Sequence, residues 1–403
     1  MKRIMLIVLD GLGDRPNKEL GGKTALQAAF RPNLNFLASN GTNGLMSPVS
    51  HGLKVGSDTS HLSLIGYDPR EFYSGRGPFE AMGLGMDVRP GDVAFRANFG
   101  TRENGIITDR RAGRIRDGNS ELCSSINMEI DGTRFFVKEG VEHRAALVIR
   151  GSGLSDKITD SDPHITGKPA QEIMALDRSA EHTAHVLNQF LERSREILDS
   201  SDVNRRREER GEPRGNELLI RGAGMAPVLP PFGEKYGMKG ACVVGIPMIS
   251  GICQLVGMDV IKHPGATGTV DTDYSGKIRT AVKALKDHDF VLVNIKATDI
   301  AGHDGDPILK RDVLEKTDRA FGPLRDILGD TVIAITGDHS TPCSIKEHSG
   351  DSVPITFVTD GIRKDGVRFY DEISALKGEL RITSNDTMNY LLGLSDRAEK
   401  YGA

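Results

Sequence analysis

Tryptophan is missing from this chain of 403 residues, aromatic residues make up only 5% of it, and cysteine occurs four times. Cys123, Cys242, Cys253 and Cys343 show no C-x-x-C spacing and are too few for a disulfide framework. That fits a reducing cytoplasm and makes each a small buried residue rather than a ligand. Long apolar runs are missing too. The run that opens the chain, Ile4 to Leu9, stops at Asp10; it is shorter than a signal-peptide core and far below the roughly 18 residues of a membrane helix. Neither sign of charge is in large excess: the net charge is −4 and the isoelectric point near 6.3, which gives no general attraction to nucleic acid or to an acidic membrane. These absences point to a soluble cytoplasmic protein with a small-molecule partner, of an oligomeric state the sequence does not disclose.

What is present is size and pattern. The length exceeds that at which single cores stop growing, so two domains are expected. Ile4 to Leu9 reads as a parallel strand covered on both faces, and the same pattern returns at Phe290 to Ile295, Thr331 to Ile335 and Ile355 to Val358. Helical patterns separate them at Pro32 to Ser39, Ser275 to Lys286, Lys310 to Leu328 and Asp386 to Leu392. The alternation predicts a doubly wound, mostly parallel α/β sheet formed by residues 1–76 and 227–403. Between them, residues 77–226 read as an inserted, smaller α+β domain: strands at Val93 to Phe99, Arg134 to Lys138 and Ala145 to Arg150, and one long helix from Pro169 to Leu198. Its far edge is the charged run from Asn204 to Gly215. Acids interleave its arginines and no aromatics accompany them, so it reads as a solvated loop rather than a nucleic-acid surface.

Asp299 and His303, the adjacent pair Asp338 and His339, and His348 place five carboxylate and imidazole groups in fifty residues. A tetrahedral zinc site uses three or four such groups, so five here, with Asp10 ending the first strand, indicate two divalent ions and hence phosphate chemistry. Asp10, Asp299 and Asp338 each follow a strand pattern, where ligands bind in open α/β sheets. Asp299 and His303 are four positions apart, so a helix starting after the strand would put both on one face. A phosphoryl-transfer site also needs a nucleophile. Gly56 leads into a helix start at Ser57, where unpaired backbone N–H groups favour an anion; Thr59 and Ser60 are equally placed by spacing alone.

Together, the segments Leu6 to Gly11, Gly56 to Pro69, Lys296 to Asp306 and Thr336 to Pro342 resemble the cofactor-independent phosphoglycerate mutases of the archaeal branch, within the alkaline phosphatase superfamily. The likeness runs over nearly the whole chain. It implies an alkaline-phosphatase-like domain interrupted by a substrate-binding domain, two divalent ions (Mn, Mg, Zn or Co) and no requirement for 2,3-bisphosphoglycerate. It further implies Asp299, His303 and His348 on one ion, with Asp10, Ser57, Asp338 and His339 on the other. Bacterial members read approximately Asn-Ser-Glu-x-Gly-His at the nucleophile; setting their histidine on His61 selects Ser57, with Gly56 and Ser60 as departures.

The insert transfers poorly by resemblance, so its candidates come from chemistry. A phosphoglycerate carries a phosphate and a carboxylate, and forked guanidinium groups suit both. The densest candidates are Asp109, Arg110, Arg111 and Arg114, then Arg144 and Arg150, with Asp162 and His164 as a proton-handling turn and Arg76 near the domain edge. The expected reaction is interconversion of 3-phosphoglycerate and 2-phosphoglycerate through a phosphoserine. The alternative is a metal-dependent phosphatase or phosphotransferase on another small phosphorylated metabolite, which the same fold and metals would serve.

Overall fold

The computed structural model describes residues 1–400 and 402. The chain divides into two compact units, Met1–Tyr73 with Leu229–Ala403, and Ser74–Val228. The breaks fall at 73/74 and 228/229 rather than at 76/77 and 226/227.

In the first unit eight strands form one sheet, in the order Asp259–Val260, Gly240–Val243, Phe290–Ile295, Arg3–Leu9, Thr331–Thr336, Val353–Val358, Thr42–Ser47 and Leu380–Thr383. All neighbouring pairs are parallel except the two made by Val353–Val358. The expectation of a fourth parallel strand there is therefore corrected. A continuous apolar run reports burial on both faces, not direction. Leu34 and Leu37 of helix Pro32–Ser39, Ile278 of Tyr274–Ala284, and Val313 and Leu314 of Pro307–Ala320 pack on Met5, Ile7, Val291 and Ile333. Burying each large aliphatic side chain stabilises the unit by about 2 kcal/mol. Helix Pro307–Ala320 starts where Asp306 accepts the N–H of Leu309 and Pro307 occupies the first turn. It ends at Ala320, short of the expected Leu328, and a 3-10 turn, Gly322–Ile327, takes over at Gly322-Pro323.

The second unit is built on antiparallel strands: Ile106–Asp109, Val93–Glu103, Arg144–Arg150, Thr133–Glu139 and Met128–Ile130 in that order, with Glu217–Met225 also paired to Val93–Glu103. Alternation sorts their side chains. Phe95, Ala97, Phe99, Leu147, Ile149 and Ile220 join Val186, Leu187 and Phe190 of helix Glu181–Asp199 in the main core. On the opposite face Ala94, Ala146 and Val148 meet Ala81 of helix Gly77–Gly83.

Two expectations fail in this unit. The long helix begins at Glu181, not Pro169, because Asp177 turns the chain by accepting the N–H of Ser179, while Ala175 bridges to Ile158. Apolar spacing across 169–180 mixed an extended segment with a helix. Part of the charged run is also helical rather than loop: Asp202–Glu209, capped by Ser201, with Arg207 buried against the carbonyls of Pro213 and Ala112.

Candidate functional site

Register brings the first unit's acids together. Leu9 pairs with Ile295 and Val8 with Thr336, so Asp10, Lys296 and Asp338 emerge side by side past the carboxyl ends of three adjacent strands. The turn after Asp10 requires glycine. Gly11 has φ +63°, and a Cβ there would lie 2.7 Å from Asp299 Cα and 2.6 Å from Thr341 Oγ1. Gly11 N–H donates to Asp338 Oδ1 at 2.9 Å, and Thr298 Oγ1 donates to the Asp10 carbonyl, which locks the three strand ends to one another.

Ser57 is the first residue of helix Ser57–Leu64 and is buried. The N-cap is Gly56, and the Ser57 hydroxyl serves no cap; it lies 3.1 Å from His339 Nε2, 3.2 Å from Lys296 Nζ and 3.4 Å from Asp10 Oδ1. Thr59 Oγ1, by contrast, donates to the Gly56 carbonyl, and Ser60 Oγ has no hydrogen-bond partner.

Around Ser57 the six expected ligands converge. Asp299 and His303 share helix Ala297–Asp304, and His303 Nε2 lies 3.5 Å from Asp299 Oδ1. His348 Nε2 is 3.5 Å from the same oxygen and 3.2 Å from His303 Nε2. His339 Nε2 stands 3.3 Å from Asp338 Oδ2 and 3.7 Å from Asp10 Oδ1. The His339 ring stacks on that of His348 at 3.7 Å, which places it between the two groups of donors. Glu347, not expected from sequence, has a carboxylate within reach of the His303 and His348 donors.

The far ring nitrogens fix the tautomers. Nδ1–H of His303 donates to Lys346 O, and that of His348 to Val55 O. Nδ1–H of His339 donates to Thr341 Oγ1, whose hydroxyl donates to Asp299 Oδ1 at 2.7 Å. All three Nε2 lone pairs therefore face inward, the arrangement metal-binding imidazoles adopt.

Charge makes the same case. Asp10, Asp299 and Asp338 are buried together, and the Lys296 ammonium pairs with Asp10 and Asp299 but not with Asp338. Burial and the Asp10 carboxylate push Asp338 up to about 7, and its Oδ2 has no hydrogen-bond partner. Burial works to raise Asp299, but Lys296 and a hydrogen bond with His348 outweigh it and hold it well below the usual carboxylate range. Burial draws His339 down to about 3, so it is neutral, as a ligand must be. Burial likewise works to lower His348, but Asp299 and the Val55 carbonyl raise it; a place that favours a proton between these groups also favours a cation. An orphaned buried oxygen, three inward lone pairs and carboxylates clustered with them fit divalent cations with oxygen and nitrogen ligands.

The second unit holds a separate cavity of about 250 Å³, lined by Arg96, Asn98, Arg110, Arg111, Arg114, Glu142, His143, Arg144 and Arg221. Arg96, Asn98, Arg144 and Arg221 extend from the sheet on the face away from the main core: Asn98 pairs with Arg144 and Arg96 with Arg221. Asp162, fully buried, grips Arg110 bidentately at 2.8 and 2.7 Å and lies 3.5 Å from Arg221, fixing two guanidinium groups. Burial and the Arg76 charge draw Arg96 down to about 10. Burial, Arg144 and Arg111 draw His143 down to about 4, and its Nδ1 is buried without a partner.

Of the expected substrate residues, Arg110, Arg111, Arg114 and Arg144 line this cavity. The others do not. Asp109 accepts the N–H groups of Arg111 and Gly113 and shapes the loop; Arg76 faces Glu80 at 3.8 Å; His164 is exposed beside Asp160. Arg150 sits six residues along the strand from Arg144, roughly 20 Å away, bound to Asp92 and over the Phe136 ring. Sequence reasoning placed His143 at the head of the candidate run His143 to Arg150 without giving it a role, and missed Arg96, Asn98 and Arg221, although Arg96 and Asn98 interrupt the strand Val93–Glu103 at the parity opposite to its core residues. In the first unit it passed over Lys296, Thr341 and Asn294, and used His61 only to place Ser57. Asn294 donates to Asp10 Oδ2 and to His61 Nε2, while His61 Nδ1–H donates to Ser57 O.

Fold and site define an α/β protein whose central strands end in a buried carboxylate and imidazole cluster around a serine. Residues 38–204 match the family described as 2,3-bisphosphoglycerate-independent phosphoglycerate mutase. A protein of that name from Thermoplasma volcanium is 60% identical over 403 residues, 100% of this chain and 99% of its own. The solved cofactor-independent phosphoglycerate mutase of Thermoplasma acidophilum is 53% identical with a TM-score of 0.76, covering 98% of this chain and all of its own. A solved protein from Pyrococcus horikoshii is 39% identical with a TM-score of 0.88, covering 100% of this chain and 99% of its own. This chain belongs to the 2,3-bisphosphoglycerate-independent phosphoglycerate mutases.

Proposed function

We propose that the chain interconverts 3-phosphoglycerate and 2-phosphoglycerate in the cytoplasm, without 2,3-bisphosphoglycerate, by passing the phosphoryl group through Ser57. The observation that carries this reading is the convergence of Asp10, His339 and Lys296 on the one hydroxyl at the start of helix Ser57–Leu64. Two divalent cations, Mn, Mg, Zn or Co, held by Asp299, His303 and His348 and by Asp10, Ser57, Asp338 and His339, would acidify that hydroxyl and offset phosphoryl charge.

Ser57 Oγ gives up its proton and forms its bond to phosphorus as the bond from phosphorus to the glycerate oxygen breaks, and that oxygen takes up a proton, so none is gained or lost overall. The backbone N–H groups of Ser57 and Asp58 at the helix start are placed to donate to the phosphoryl oxygens, those of Thr59 and Ser60 being taken by the Asp58 carboxylate and the Gly56 carbonyl. Glycerate then presents its other hydroxyl, whose oxygen gives up its proton and bonds to phosphorus as Ser57 Oγ departs and regains a proton. The guanidinium groups lining the cavity of the second unit, with Arg110 and Arg221 kept in place by Asp162, suit a carboxylate. His143, uncharged at neutral pH, offers a hydrogen bond rather than a charge.

Phosphorus NMR of the purified protein with 3-phosphoglycerate and Mn²⁺ tests the reading. The 2-phosphoglycerate signal is expected to grow to an equilibrium ratio, and chelation to stop it. Release of inorganic phosphate with no 2-phosphoglycerate would make the protein a phosphatase instead.

A further inference from the structure

Lys296 Nζ lies 2.7 Å from Asp10 Oδ1, 2.8 Å from Asp299 Oδ2 and 3.2 Å from Ser57 Oγ. One ammonium thus spans a carboxylate from each group of donors and also touches the nucleophile. Asp10 Oδ2 is committed to Asn294 and Asp299 Oδ1 to Thr341, so the lysine takes the other oxygen of each acid. Asp10 Oδ1 is also the oxygen nearest His339 Nε2 and Ser57 Oγ. Lys296 leads into helix Ala297–Asp304, which fixes its backbone, while its four-carbon stem carries the rotatable bonds through which the charge can be redirected.

We propose that Lys296 is a built-in counter-cation of this centre, which yields Asp10 and Asp299 as divalent cations load and is then directed to the phosphoryl group on Ser57. The inference rests on the two-cation reading above. Its physical basis is charge. An ammonium and a divalent cation sharing Asp10 Oδ1 repel each other strongly at this depth, so loading requires Lys296 to move. The anion that remains within its reach is the one on Ser57. Lys296 then donates to a non-bridging phosphoryl oxygen, stabilising charge that grows as the phosphorus changes hands. No proton or bond beyond those of the transfer itself is exchanged.

The test compares the wild-type chain with Lys296→Met, stripped by chelation and titrated calorimetrically with Mn²⁺ alone. Circular dichroism establishes the fold, and Lys296→Gln serves as a second neutral variant should the first not fold. Both neutral variants are expected to bind Mn²⁺ at least tenfold more tightly, in unchanged number. Acid-quenched phosphorylation of Ser57 by 3-phosphoglycerate is expected to slow at least hundredfold in them. Lys296→Arg is expected to keep wild-type Mn²⁺ affinity, which separates charge from packing. Equal or weaker Mn²⁺ binding in the neutral variants, or Ser57 phosphorylation at the wild-type rate, would overturn the role of Lys296. Wild-type protein that binds no Mn²⁺ would instead remove the two-cation reading beneath it.

Discussion

Thr341 joins Asp299 to His339: its hydroxyl donates to Asp299 Oδ1 at 2.7 Å and accepts from His339 Nδ1 at 3.1 Å. This single side chain sets the tautomer of one ligand and the orientation of another. Thr341→Val keeps the shape and removes both bonds. It is expected to weaken Mn²⁺ binding or mutase activity by roughly 10- to 100-fold, with the thermal midpoint little changed, as read by calorimetric titration and a coupled assay.

Lys310 is a structural counterpart. Fully buried, its Nζ donates to the carbonyls of Gly11, Gly13 and Thr341 at 2.9, 3.0 and 2.9 Å, tying the loop after the first strand to the loop after Asp338. Lys310→Met leaves three buried acceptors without this donor, and a loss on the order of 3 kcal/mol is expected. Urea unfolding checks it: the midpoint should fall with an unchanged slope.

In the second unit, Arg144 and Arg150 were equal candidates by sequence and are unequal in the structure. Arg144→Ala is expected to lower kcat/KM by about 100-fold, equivalent to about 2.7 kcal/mol of lost transition-state stabilisation. Arg150→Ala should leave kcat/KM within about twofold and lower stability instead, because Asp92 loses a paired guanidinium. Steady-state kinetics with 3-phosphoglycerate separates the two.

The pH dependence of stability has a definite sign at His143. Its folded value is about 4 against 6.5 for the free side chain, so the unfolded chain binds the proton more readily. This contribution to stability is fully present above pH 6.5 and is lost as pH falls towards 4. Thermal unfolding of His143→Gln should accordingly approach or exceed that of the wild type near pH 5, relative to the difference at pH 7.5. An unchanged difference between these pH values contradicts the assignment.

Much of the first unit was legible because its chemistry follows its strands. Asp10, Asp299 and Asp338 follow strand ends, and burial on both faces makes those strands continuous apolar runs. The direction of Val353–Val358 was not legible, because an apolar run carries no sign. Lys296 and Thr341 escaped notice for a different reason: each is an ordinary residue type whose role comes from register, from which strand ends stand next to which. In the second unit Arg96 and Asn98 were recoverable from strand parity. The cavity itself was not, since it depends on Asp162 reaching Arg110 from 52 residues away. The helix expected from Pro169 failed because apolar spacing over a short extended segment imitates a helical stripe.

The most direct test is where the phosphoryl group rests. Protein loaded with Mn²⁺ is mixed with 3-phosphoglycerate, quenched in acid within one turnover, digested and mapped by mass spectrometry. The account predicts a phosphoryl group on Ser57 alone, absent from chelated protein and from Ser57→Ala. Phosphoryl transfer to Thr59 or Ser60, or continued interconversion by Ser57→Ala, would contradict it.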